Sequence, residues 1–127
     1  MVFRVLDATA FYAGMPFSSN DSFMTTSVVY GEIEHIKSKQ GALEMLQQTN
    51  RLQVRDPREE TIKIVNETAE KTGDKITISE QDASIIALAL ENNAELITDD
   101  FAVTNIARQL EIKTSSLMTD GISKVGK

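Results

Sequence analysis

The chain has 127 residues, 41% hydrophobic and 25% charged, with 13 lysines and arginines against 19 aspartates and glutamates, formally -6 at pH 7. That length suits one domain with a real core. The acidic balance offers no general attraction to polyanions, so a nucleic-acid partner has to be met locally. Absence of cysteine excludes disulfides, thiol nucleophiles and cysteine-ligated zinc within these residues. A single histidine, His35, excludes a multi-histidine metal site and leaves one candidate base for a Ser-His triad. No apolar run is long enough for a bilayer and the N-terminus has no basic signal-peptide start, so the expectation is a cytoplasmic protein with no membrane partner.

In chain order, Val2-Phe3-Arg4-Val5-Leu6 is a run of strand formers that stops at Asp7, and such near-continuous apolar strands suit the centre of a parallel sheet. Asp7 to Phe11 turns into a first helix ending near Gly14-Met15-Pro16, and Phe17 to Ser22 is a polar loop. Phe23 to Thr26 reads as a short extended piece, after which Ser27 or a neighbouring threonine caps a helix from Val28 to about Ser38. Val28, Val29, Ile33 and Ile36 form the apolar stripe of that helix, with Glu32 within it by three-and-four spacing. A carboxylate there is costly unless a cation, hydrogen bonds or a metal compensates it.

Ala42 to Asn50 reads as a helix, Leu52 to Val54 as a strand, and Pro57 opens a polar helix to Thr72, stopped by Gly73. Ser79 and Asp82 form a capping-box start for an apolar helix running through Ala83 to Leu90, and Asp82 shares the inward face with Ile85, Ile86 and Ala89. Asn92 and Asn93 end it. Glu95 to Thr98 is a strand with Asp99-Asp100 at its end, Phe101 to Leu110 a helix, and Glu111 to Thr114 a last edge strand. Strands alternating with helices imply a three-layer α/β/α fold with a central, mostly parallel sheet over residues 1–118, and a flexible tail at 119–127.

Four acidic positions stand apart by placement: Asp7, Glu32, Asp82 and the pair Asp99-Asp100. Taken singly, each has an ordinary explanation as a helix cap or a half-exposed acid. Taken together, they suit oxygen-only coordination of Mg2+ or Mn2+, because clustered like charges in one cleft need a cation or a proton to coexist. A hard cation held in that way can drive phosphodiester displacement without histidine or cysteine, the two residues that are scarce or missing here.

The ordered set Val5-Leu6-Asp7-Ala8-Thr9-Ala10-Phe11, Glu32 in a helix, Asp82 opening an apolar helix, and Ile97-Thr98-Asp99-Asp100-Phe101 resembles PIN-domain ribonucleases over essentially the whole chain. Thr98 through Asn105 resembles the archaeal Nob-type endonucleases of small-subunit ribosomal RNA maturation more than VapC-type toxins. The resemblance implies Mg2+ or Mn2+ dependence and cleavage of single-stranded RNA, possession of a parallel sheet, and pre-rRNA in a small ribosomal subunit as partner. It assigns Asp7, Glu32, Asp82 and Asp100 to the metal, with Asp99 as a further participant. Thr9 and Thr98 then hold the carboxylates through their hydroxyls and Asn105 bonds within the same site. Nob-type proteins also share a zinc ribbon, for which these residues contain no cysteine. PIN domains often pair, which implies a homodimer. Three rivals stand beside this reading: a VapC-like toxin with an antitoxin partner, a non-catalytic module that keeps the fold and acids but only docks on RNA or protein, and a phosphorelay receiver domain, for which Asp56 would be the phospho-accepting aspartate but Lys113 sits inside the expected last strand rather than beyond it.

Overall fold

The computed structural model describes residues 2–117, so the expected tail at 119–127 lies outside the described residues. Strands β1 (Phe3–Leu6), β2 (Ser22–Thr25), β3 (Leu52–Val54), β4 (Glu95–Ile97) and β5 (Thr114–Ser115) form one sheet in the order β3-β2-β1-β4-β5. Every pairing is parallel. In register, Val5 lies beside Met24 on one side and Leu96 on the other, and Val5, Phe23 and Leu96 are fully buried. This is why the strands read as apolar runs rather than alternating patterns: helices cover both faces. The pair Arg4 and Glu95, neighbours across β1 and β4, adds an ion pair at 2.8 Å, and Arg4 also reaches Asp21 at 3.3 Å.

The helices are α1 (Ala8–Tyr12), α2 (Ser27–Ile33), α3 (Gln40–Gln48), α4 (Glu59–Thr72), α5 (Glu80–Asn92) and α6 (Phe101–Gln109). They complete three α/β/α layers, with α5 packed against β1, β4, α4 and α6. Between Ala83 and Ala89 every residue of α5 is buried, Ser84 included. Gly73 ends α4 and Asn93 ends α5, both in the left-handed region that stops a helix. Among the described residues no helix is long and apolar enough to cross a membrane.

Two boundaries differ from expectation by more than two residues. The helix expected to reach Ser38 ends at Ile33, because the Ile36 N–H bonds back to the Ile33 carbonyl at 3.0 Å and tightens the chain into a turn that lays Ile36 against the core. The last strand is not Glu111–Thr114 but the two residues Thr114–Ser115. Glu111 takes a left-handed conformation (φ 60) while the Ile112 N–H returns to the Ala107 carbonyl at 2.8 Å. Residues 111–112 therefore close α6, burying Ile112, and pairing with β4 starts only afterwards.

Candidate active site

The chain runs outward from β1 through β2 to β3, then crosses back to β4 on the other side of β1. That reversal puts a crevice between the carboxyl ends of β1 and β4, where ligands collect in open parallel sheets. Asp7 follows β1 directly. Its backbone is extended and its carboxylate accepts the Ala10 N–H at 3.0 Å, capping α1. On the opposite side of the crevice Asp100 caps α6, accepting the Val103 N–H at 2.9 Å, with Asp99 beside it bonded to the Ser116 hydroxyl.

Two further helices bring acids to the same place. Thr26 caps α2 and its hydroxyl meets that of Ser84 at 2.8 Å in the interior, pinning α2 to the start of α5. The Thr25 hydroxyl donates to the Leu6 carbonyl at 2.9 Å, tying β2 to β1 one residue before Asp7. The capping box of α5 is complete: the Ser79 hydroxyl accepts the Asp82 N–H at 3.1 Å, and the Asp82 carboxylate accepts the Ser79 N–H at 2.9 Å.

The result is a cavity of about 360 Å³ lined by Asp7, Glu32, Asp82, Asp99 and Asp100 together with Ala8, Thr9, Val29, Gln81 and Ile85. All five acids singled out in the sequence thus border one space. Glu32 differs from expectation in its setting: it is exposed rather than on the inward stripe. Val29 and Ile33 define the buried line of α2, and Glu32 lies about 60° and 100° around the helix from them. Its carboxylate accepts the Tyr12 hydroxyl at 2.9 Å and the Gln81 side-chain amide at 2.8 Å. Neither Tyr12 nor Gln81 was anticipated. The position of Gln81 beside Asp82 on the first turn of α5 was the available signal.

The supporting residues divide. Thr9 lines the cavity. Thr98 is buried, and its hydroxyl accepts the Asp100 backbone N–H at 3.1 Å, so it shapes the turn that carries Asp100 rather than bonding a carboxylate. Asn105 is half-buried on the second turn of α6 and does not line the cavity.

Burial pushes the Asp7 carboxyl above its ordinary range. The carboxylates of Asp82, Asp99 and Asp100 push it further up, and together these outweigh the Ala10 N–H, which favours the charged form. The bond to Glu32 likewise raises the Tyr12 hydroxyl. The donor set is all oxygen and strongly anionic, the chemistry a hard divalent cation takes. The caps on Asp7, Asp82 and Asp100 each use one carboxylate oxygen. Among the described residues no three acids are drawn together closely enough to enclose an ion as they stand. The residues fit such a cation by donor type and by mutual repulsion, not as a preformed cage.

Fold and cavity together define a doubly wound α/β protein with an acid-lined crevice at its topological switch point. Residues 4–91 match the family described as the PIN domain of ribonuclease, and the chain belongs to that family. It is 36% identical over 125 residues to endoribonuclease Nob1 of Methanocaldococcus jannaschii, covering 98% of this chain and 61% of that protein. With endoribonuclease Nob1 of Pyrococcus abyssi it is 36% identical over 123 residues, 97% of this chain and 73% of the relative. Ribonuclease VapC1 of Thermoplasma acidophilum is 43% identical over 61 residues, 48% of this chain and 31% of that protein. Among solved structures, a PilT N-terminus domain protein of Sulfolobus solfataricus superposes with a TM-score of 0.61 at 21% identity, covering 99% of this chain and 96% of the other. That likeness is one of fold.

Proposed function

We propose that this protein is a divalent-cation-dependent endoribonuclease that cuts single-stranded RNA in the maturation of ribosomal RNA. The observation that carries the reading is the crowding of Asp7: a half-buried carboxyl raised by burial and by three neighbouring aspartates, in the switch-point crevice of a chain similar to Nob1 endoribonucleases. Asp7, Glu32, Asp82 and Asp100 would hold Mg2+ or Mn2+, with Asp99 alongside. Bound there, the cation supplies charge neutralisation for the phosphate and a lowered pKa for the attacking water.

The chain's own residues supply placement. Ser79 fixes Asp82 through the capping box, and Tyr12 and Gln81 hold the two oxygens of Glu32. Thr98 orients the turn of Asp100. The expected result is that Asp7→Asn, which keeps the cap but removes the charge, lowers cleavage of a labelled single-stranded RNA by more than the roughly 10–100-fold that loss of an outer-sphere partner costs. Unchanged cleavage by the variant, in protein free of contaminating nuclease, would falsify the assignment.

The partial likeness to VapC1 favours one second reading, a toxin ribonuclease neutralised by an antitoxin. It uses the same acids, and co-purification of a small antitoxin that blocks cleavage distinguishes it. A non-catalytic docking module would instead bind RNA equally well with and without Mg2+ and with Asp7→Asn.

A further inference from the structure

The chain holds five phenylalanines, two tyrosines and no tryptophan. Five of these rings are buried or packed half-buried against the core, and the other two are exposed: Phe101 at 80% and Tyr12 at 52%. Neither lines the acid cavity itself, but each adjoins a residue that does. Phe101 is the first residue of α6, next to Asp99 and Asp100 on the lining, and Tyr12 donates its hydroxyl to Glu32, which lines the cavity from α2. In the strand order, Phe101 follows β4 on one side of Asp7, and Glu32, the partner of Tyr12, follows β2 on the other, so the two aromatic residues are attached to opposite walls of the cavity.

An exposed phenylalanine at the first position of a helix gains nothing for the fold that a polar residue would not supply, and the inward side of α6 is already filled by Ala102, Val103, Ile106 and Ala107. The chain carries a formal charge of -6 and the cavity itself is acidic, so there is no general attraction of phosphates to the protein around this site. Stacking is a strong, charge-independent way to hold a nucleotide, and it requires an unpaired base.

We propose that Phe101 is a stacking platform that positions one unpaired base beside the scissile phosphate, with the Tyr12 ring as the opposite post. This rests on the ribonuclease reading and deepens it. It makes Phe101 a positioning residue that selects unpaired RNA and does not touch the reacting atoms.

The test uses Phe101→Ala, Phe101→Leu and Phe101→Trp. Stacking predicts that Ala and Leu raise KM for a short single-stranded RNA by about tenfold with kcat little changed, whereas Trp retains the wild-type KM. A substrate with one abasic ribose next to the cleaved bond should show the same loss with wild-type protein and no further loss with Phe101→Ala. Because the chain has no native tryptophan, Phe101→Trp adds a single fluorophore whose emission is quenched by single-stranded RNA and not by the duplex. Leu performing as well as Phe, or unquenched Trp emission at saturating RNA, overturns the proposal. So does a result in which Phe101→Ala leaves KM unchanged and instead abolishes self-association or binding of a protein partner. Quenching without any cleavage by the wild type would sink the ribonuclease reading while leaving the stacking platform in place.

Discussion

Asp7 serves two ends at once, as the cap of α1 and as the most crowded acid of the cavity. Its folded pKa is raised above the ordinary value of 3.8, so the folded state binds its proton more tightly than the unfolded chain does. Below about pH 3.8 both states are protonated and the residue costs nothing; as pH rises through the folded pKa, ionising it costs stability. Asp7→Asn, which caps nearly as well, should therefore raise the melting temperature at neutral pH without divalent cations, and the gain should vanish in acid. Thermal melts of both proteins between pH 3 and 8 check this. No gain at neutral pH would mean that the repulsion is relieved by solvent. Asp7 was legible in the sequence because a strand followed at once by a capping acid is a local pattern. Glu32 was only half legible, because whether a stripe residue points inward or to the rim depends on what the helix packs against.

The first turn of α5 is the element that organises the cavity. Its capping box aims Asp82, its Gln81 holds Glu32, and its Ser84 reaches back to Thr26. Ser79→Ala removes one cap and should cost about 1 kcal/mol of stability, read by denaturant melts. It should also weaken Mg2+ binding, since Asp82 loses its partner in the box. At the other end of the same helix, Glu91 accepts the Arg58 N–H at 2.6 Å and ties α5 to the start of α4. Burial alone would raise the Glu91 carboxyl, but hydrogen bonds from Thr61 and Arg58 and the Arg58 charge hold it below its usual 4.5. Its contribution is present above about pH 4.5 and is lost as pH falls through the depressed folded value. Glu91→Gln should accordingly destabilise by roughly 1 kcal/mol at pH 7 and by less in acid, again by denaturant melts. The capping box and the asparagine stop could be read in advance because caps are short-range; the Arg58 tie links residues 33 apart in sequence and could not.

For the whole molecule, the parallel sheet converges four elements on one crevice, and the accumulated charge makes the folded state responsive to cations. If the acids bind Mg2+ or Mn2+, an ion at about a hundred times its dissociation constant should stabilise the fold by roughly 2.7 kcal/mol through mass action, raising the melting temperature by several degrees. Asp7→Asn should lose most of that rise. An equal rise in wild type and variant would assign the effect to nonspecific surface acids.

What the sequence determined by itself was whatever short-range physics encodes: the apolar strands, the caps at Asp7, Ser79 and Asp100, the glycine and asparagine stops, and the order of acids along the chain. What only the tertiary structure decided was the meeting of those acids. The strand order β3-β2-β1-β4-β5 brings residues 7, 32, 82 and 100 to one rim, exposes Glu32, turns the Thr98 hydroxyl toward a backbone N–H, and shortens the last strand to two residues. Each of these depends on contacts between segments far apart in the chain, for which local propensity holds no information.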